Sequence, residues 1–404
     1  MMKELVIPKG IETRVVEPKK EEGESLPSLV DTASFTSWLK EKGRILVIVN
    51  DVTRPTPTSL ILSSLVPVLQ EKQCKLVILV ATGSHRLPTT EDYHALLGFL
   101  YDDLRPFCQG HDAKDYESLT FFGKTSRGTP VFINKLVKDV DQVIITGSVE
   151  PHYFAGFTGG RKAFFPGVAG YETIEANHRL ALEEGAEALK LEGNPVHEDL
   201  MECYARLLPL DVYSVMVVQG EKQKVLQSFS GEGMDEVFRR AVAKAKEVFS
   251  IPVGKKWDIV ISHAAYPMDI NLYQSQKALE NMSGAVADGG VIILDSACRE
   301  GLGSDAFAKI LFCAKTPEEA ITTIRKGYKL GYHKASRIAQ LAKRVRIFAV
   351  TGLDSQTTES LFMKKYLTIQ EALDAAIASY HDRKPSVLVV PDGCVTIPDG
   401  SRDA

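Results

Sequence analysis

The chain has 404 residues, 44% hydrophobic and 25% charged, which is ordinary for a globular protein with room for two α/β domains. A formal net charge of -4 leaves no basic excess to neutralise phosphates, so a nucleic-acid binder is disfavoured and small-molecule partners are expected. Six scattered cysteines without a CxxC pair, and no apolar run of the roughly 18 residues a membrane helix needs, predict a reduced, cytoplasmic, non-membrane protein.

In chain order, EPKKEEGES (17–25) reads as a solvated loop. RILVIVN (44–50) reads as a strand, TSLILSSLVPVLQEK (58–72) as a helix, and CKLVILVA (74–81) and DQVIITG (141–147) as strands. YETIEANHRLALEEGAEAL (171–189) has helical apolar spacing, VYSVMVV (212–218) is a strand and MDEVFRRAVAKAKEVF (234–249) a helix. A second series follows SIPVGKK (250–256): WDIVISHA, a helix through YQSQKALENM, VIILDSA, further helices, RIFAVTG, another helix and SVLVVP. Short β-branched runs alternating with helices predict an α/β fold, two domains with largely parallel sheets flanked by helices. The cut near residue 252 gives domains 1–252 and 253–404.

Three polar clusters each follow a strand: NDVTRPTP (50–57), ATGSHR (81–86) and GSVEPHYFAGFTGGRK (147–162). Ligands of open α/β sheets bind beyond the carboxyl ends of the strands, so the clusters predict one composite site. Ordinary polar turns with capping Thr and Asp are the competing reading. Lys162 sits in a Gly-rich stretch but precedes Ala163 rather than the Ser/Thr of a P-loop, and the GxGxxG dinucleotide pattern is missing there. Gly159 and Gly160 would still let amides approach an anion closely, and Arg161 would add a forked contact. His85 and His152 stand at strand ends. Two imidazoles facing one bound molecule suit acid/base work near neutral pH, and two bases on opposite faces of a carbon are what a racemase needs. For each alone, a surface or hydrogen-bonding role competes. His178 falls within a helical pattern just past the Gly-rich stretch. As a metal ligand it would need partners from outside the protein, because no complete metal site accompanies it. His111 reads as structural.

Taken with His178, the stretch PHYFAGFTGGRKAFFPG (151–167) resembles the nickel-pincer-dependent lactate racemase family, over essentially the whole chain. The resemblance implies an active site in the interdomain cleft, with a hinge near residue 252. It implies that Lys162 is the covalent tether of a nickel-pincer nucleotide. His178 would be the one protein ligand to nickel, beside two sulfurs and a ring carbon of the cofactor. Asp51 and Arg54 match residues contacting cofactor or substrate. Gly159, Gly160 and Arg161 belong to the cofactor-binding loop, which with the N-terminus of the next helix would seat the phosphate. His85 and His152 match the acid/base pair. Gln274 and Lys277, one helical turn apart, match a pair that holds the substrate carboxylate; a solvated helix face is their other reading. His333 takes the place of a Trp beside the substrate, implying a more polar pocket and making other 2-hydroxy acids, including aldonic acids epimerised at carbon 2, candidates beside lactate. The implied reaction is racemisation or epimerisation of a 2-hydroxy acid by hydride transfer to and from the cofactor. The implied partners are that acid and, transiently, the cofactor-synthesis enzymes. Two alternatives stand beside this: a non-catalytic phosphometabolite-binding protein, and a different reaction on the same cofactor fold.

Overall fold

Runs of apolar residues too long for a half-exposed strand must be covered on both faces, and this requirement shapes both sheets. The computed structural model describes residues 5–17, 28–220, 223–303 and 305–400, so the stretch EPKKEEGES lies outside the described residues from position 18 on. The chain divides into two compact units, Lys20–Lys246, and Met1–Lys19 with Glu247–Ala404. The opening strand β1 (Thr13–Val15) belongs to the second of these.

The unit Lys20–Lys246 contains β2 (Arg44–Asn50), β3 (Lys75–Ala81), β4 (Cys108–Gly110), β5 (Gln142–Ser148), β6 (Val212–Gln219) and β7 (Val225–Glu232). They form one sheet in the order β7–β6–β5–β2–β3–β4, parallel except for the β6–β7 pair. Every residue of β5 and β6 is buried. Alternate residues Ile45, Val47 and Val49 of β2 pack with Phe35, Ile61, Leu65, Leu69 and Leu97 from the helices Thr32–Trp38, Thr58–Glu71 and Thr90–Leu97.

The helix expected over 171–189 is shorter, running Tyr171–Arg179 before a 3-10 turn at Leu180–Leu182. Gly185 then adopts φ +85°, a left-handed turn that favours glycine. The chain beyond it packs along the Gly-rich loop instead, the amide of Leu189 donating to the carbonyl of Gly156 at 3.1 Å.

The other unit contains β8 (Trp257–His263), β9 (Val286–Ser296), β10 (Arg346–Thr351), β11 (Met363–Lys365) and β12 (Val387–Val390). With β1 they form a sheet ordered β1–β12–β8–β9–β10–β11, parallel throughout. Ile259, Ile261, Val291 and Ile293 face Ile369, Ala372, Leu373 and Ala376, which recur at helical spacing along the helix Ile369–Ala378. The expected division at residue 252 differs from this arrangement at the amino end. Residues 1–19 group with the later unit because β1 satisfies the edge backbone of β12. Among the described residues no helix is long and apolar enough to cross a membrane.

Candidate active site

Parallel strands end on one edge, and the loops leaving β2, β3 and β5 there carry the three polar clusters. The structure brings Asp51, Arg54, His85, His152, Gly159, Lys162 and His178 into the lining of one pocket. The Thr56 hydroxyl donates to Asn50 Oδ1 at 2.8 Å and accepts the Ser148 amide at 3.2 Å, tying the ends of β2 and β5 together. Asp51 is buried; its Oδ1 accepts the Thr53 amide at 3.2 Å and the Thr53 hydroxyl at 2.6 Å, and its Oδ2 lies 2.7 Å from His85 Nδ1. An ionised carboxylate only accepts, so Nδ1 carries a proton, and whenever the ring is neutral its lone pair lies at Nε2. Burial is the largest influence on Asp51 and would raise its pKa. The bonds from His85 and Thr53, with the charges of His85 and Arg54, outweigh burial and hold it below its ordinary value.

Beyond β5 the chain doubles back, Pro151–His152 pairing with Gly156–Phe157, and then makes a 3-10 turn at Gly160–Ala163. His152 Nδ1 accepts the Ala155 amide at 3.3 Å, which leaves Nε2 to carry the proton of the neutral ring. The two histidines therefore present opposite tautomers at Nε2. Phe154 is the hub of the site. Its ring centroid lies 4.5 Å from that of His152, 5.2 Å from that of His178 and 5.7 Å from Lys162 Nζ.

Burial, then the charges of Arg54 and Arg161, push the Lys162 pKa well below its usual value against the pull of Glu150. A lysine shifted in this direction gives up its proton more readily and is the more available as a nucleophile. Burial, then the Lys162 charge, lowers His178 to about 3, with a bond to the Ile174 carbonyl opposing. His152 is pushed well below its usual value by burial, then by Lys162, Arg54, His178 and Arg161. Among the described residues no group of three or more His, Cys, Asp or Glu is placed to hold a metal. His178, a neutral imidazole, thus suits a metal that brings its other ligands with it. A nucleophilic amine, that single imidazole and a glycine for close approach fit a covalently held, self-liganding metal group.

Two residues of the expected cofactor-binding loop, Gly160 and Arg161, are not among those lining the pocket. Arg161 is fully buried and donates to the carbonyls of Ala155 at 2.7 Å and Gly159 at 3.4 Å, its guanidinium 4.5 Å over the Phe238 ring. A Cβ on Gly160 would come 2.6 Å from the same ring. Both build the loop from behind. Gly159 does line the pocket, at φ +77°, where a Cβ would meet Val149 at 2.6 Å. At the start of the helix Tyr171–Arg179, the amides of Gly170 and Tyr171 donate to Phe132 and Ala113 carbonyls, both at 2.9 Å, so they are committed rather than open to a phosphate. His111 is fully buried, with Nε2 2.9 Å from the Ala169 carbonyl and Nδ1 3.2 Å from Asn134 Nδ2, in keeping with its structural reading.

Three residues passed over in the sequence support the site: Phe154, Asn194 and Asp199. Asn194 Nδ2 donates to the carbonyls of Phe154, Glu187 and Lys190 at 3.0, 3.2 and 3.1 Å. The pair Asn194-Pro195 is a readable helix-start signal, and Asn194 does cap the helix Pro195–Ala205. Its grip on the loop has no local signature. Asp199 accepts from Thr125, Thr129 and Asn177 at 2.6, 2.9 and 2.8 Å, next to His178 in sequence. In the other unit, Gln274 is exposed and Lys277 half-buried one turn apart on the helix Leu272–Glu280. His333 is buried in the helix Tyr332–Arg344, its Nδ1 3.0 Å from the Tyr328 hydroxyl.

Two family models match the chain: the lactate racemase N-terminal domain over residues 4–189 and the lactate racemase C-terminal domain over residues 253–397. A lactate racemase of Thermoanaerobacterium thermosaccharolyticum is 30% identical over 385 residues, covering 92% of this chain and 88% of the relative. One from Lactiplantibacillus plantarum is 30% identical over 381 residues, covering 91% and 88%. The apoprotein structure of the Thermoanaerobacterium thermosaccharolyticum lactate racemase superposes with a TM-score of 0.85 at 27% identity, covering 97% of this chain and 96% of that one.

Proposed function

The chain belongs to the lactate racemase family, a family of isomerases, and from that premise we propose that it racemises or epimerises a 2-hydroxy acid, lactate being the acid named by its relatives. Lys162 would hold a nickel-pincer nucleotide by a covalent bond from its neutral amine, and His178 would supply the protein's ligand to nickel. When bound, that group supplies a hydride acceptor and donor for the α-carbon of the acid. The protein's own residues handle the proton. His85 takes the hydroxyl proton at Nε2 while Asp51 steadies Nδ1–H, and His152 offers Nε2–H to the oxygen of the opposite enantiomer. Gln274 and Lys277 would hold the carboxylate. Gly159 lets the loop approach the cofactor closely, and Asp51 and Arg54 set the charge around it.

The observation carrying this reading is the gathering of His85, His152, Lys162 and His178 in one pocket, with each catalytic ring fixed at Nδ1 and open at Nε2. A simple phosphometabolite binder gives no task to Lys162 and His178 beside the paired histidines. The same reading has cofactor-synthesis enzymes as transient partners and the reducing cytoplasm as location, where the six unpaired cysteines stay as thiols.

The test is to express the chain with the cofactor-synthesis enzymes, weigh the Lys162 peptide and assay both lactate enantiomers by chiral chromatography. An adduct on that peptide and interconversion of the enantiomers are expected. Lys162→Ala should lose the adduct, and His178→Ala should keep the adduct while losing nickel. An unmodified Lys162 in active protein would sink the tether.

A further inference from the structure

The unit Met1–Lys19 with Glu247–Ala404 carries an imidazole–carboxylate pair to which the reading above gives no task. β8 and β9 run parallel with His263 in register with Asp295 at their carboxyl ends, and His263 Nδ1 lies 2.7 Å from Asp295 Oδ2. As with Asp51 and His85, the two partners come from the ends of adjacent parallel strands, and the separation is the same 2.7 Å. The carboxylate fixes the proton on Nδ1, so Nε2 is the ring's position for a ligand. The side chain of His263 is 31% exposed.

This pair shares one braced edge with Lys277. The amide of Gly393 donates to the His263 carbonyl at 2.8 Å. Asn281, which ends the helix of Lys277, donates to the carbonyls of Gly393 and Cys394 at 2.8 and 3.2 Å, and Ser262 Oγ donates to the Ala278 carbonyl at 2.9 Å. Asp392 lies within electrostatic reach of both His263 and Lys277. Asp269 approaches from the 3-10 turn Met268–Ile270, its Oδ2 3.4 Å from Arg299 and its Oδ1 buried without a hydrogen-bond partner. Strand carboxyl ends are where α/β sheets bind ligands.

We propose that His263 is a further substrate-binding residue, donating Nε2–H to an oxygen of the 2-hydroxy acid's carboxylate beside Lys277, with Asp295 as the positioning residue that orients the ring. The inference rests on the racemase reading and adds a residue to it. Its consequence is a pH-dependent affinity. The bond to Asp295 raises the His263 pKa, burial opposes this, and the charges of Asp295, Asp392 and Asp269 add to the rise. The protonated ring is the binding form, so affinity is full at lower pH and falls as pH climbs through that raised value.

The experiment measures KM and kcat for lactate against pH in cofactor-loaded wild type, His263→Gln and Asp295→Asn. His263→Gln should raise KM about tenfold with kcat within about twofold, the scale of one hydrogen bond to a charged group, and should flatten the rise of KM with pH. Asp295→Asn should move that rise to lower pH. Unchanged KM and an unchanged profile in His263→Gln would overturn the proposal, as would loss confined to kcat. If His263→Gln does not fold, Asp295→Asn decides the matter by whether the inflection moves. If the loaded wild type does not turn over lactate, the same measurements are made on the 2-hydroxy acid it does interconvert; interconversion of none across a panel of 2-hydroxy acids would instead overturn the functional reading, and this inference with it.

Discussion

Arg161 and Lys162 are neighbours with opposite environments. Lys162 Nζ faces the ring of Phe154 in the pocket, whereas the Arg161 guanidinium is turned back under the loop, over Phe238. Spacing in the sequence marks the Gly-Gly-Arg-Lys run as a loop for something anionic, and the family resemblance singles out Lys162 as a covalent tether. Which of two adjacent side chains turns inward from a 3-10 turn depends on what packs behind it, and Phe238 is far away in sequence. The distinction can be tested. Arg161→Ala removes the donor to the Ala155 carbonyl and opens a cavity against Phe238, so unfolding should cost about 3 kcal/mol less. A ligand-contacting arginine would leave the urea midpoint of the unloaded protein near that of wild type.

At the scale of elements, the strands are the most legible part, since long runs such as RILVIVN, buried from Ile45 to Val49, and VYSVMVV, buried throughout, are interior strands and their ends fix where the clusters emerge. Helix length is less legible. The apolar period continues past residue 180, yet the helix stops at Arg179 because the following segment gains more by bracing the Gly-rich loop through Leu189 and Asn194. The helix carrying His178 is also held from the side. Asp199, 1% exposed, ties Asn177 on that helix to Thr125 and Thr129. Asp199→Ala would leave three donors without an acceptor, a destabilisation of about 3 kcal/mol or more by urea unfolding. Nickel should be retained less well on dialysis, because the helix presenting His178 loses its anchor. Retention at the wild-type level would mean that the helix is fixed by its other contacts.

At the scale of the whole molecule, the alternation of strands and helices makes the α/β class and two largely parallel sheets legible, while the membership of residues 1–19 is not. The strand β1 has only three residues, and its partner Val387–Val389 lies near the other end of the chain, a pairing no local pattern encodes. The proposed function belongs to this scale too, because His85, His152, Lys162 and His178 meet in one pocket from separate stretches of the chain. Its central claim is that the α-hydrogen leaves the 2-hydroxy acid as hydride and comes back, with the two histidines moving only the hydroxyl proton. Base abstraction of the α-hydrogen by a histidine would instead release it to water. The most direct measurement uses lactate deuterated at the α-carbon, racemised in ordinary water by the loaded protein and analysed by chiral separation and mass. The account predicts that the newly formed enantiomer keeps its deuterium. Loss of that deuterium to solvent in step with racemisation would contradict it.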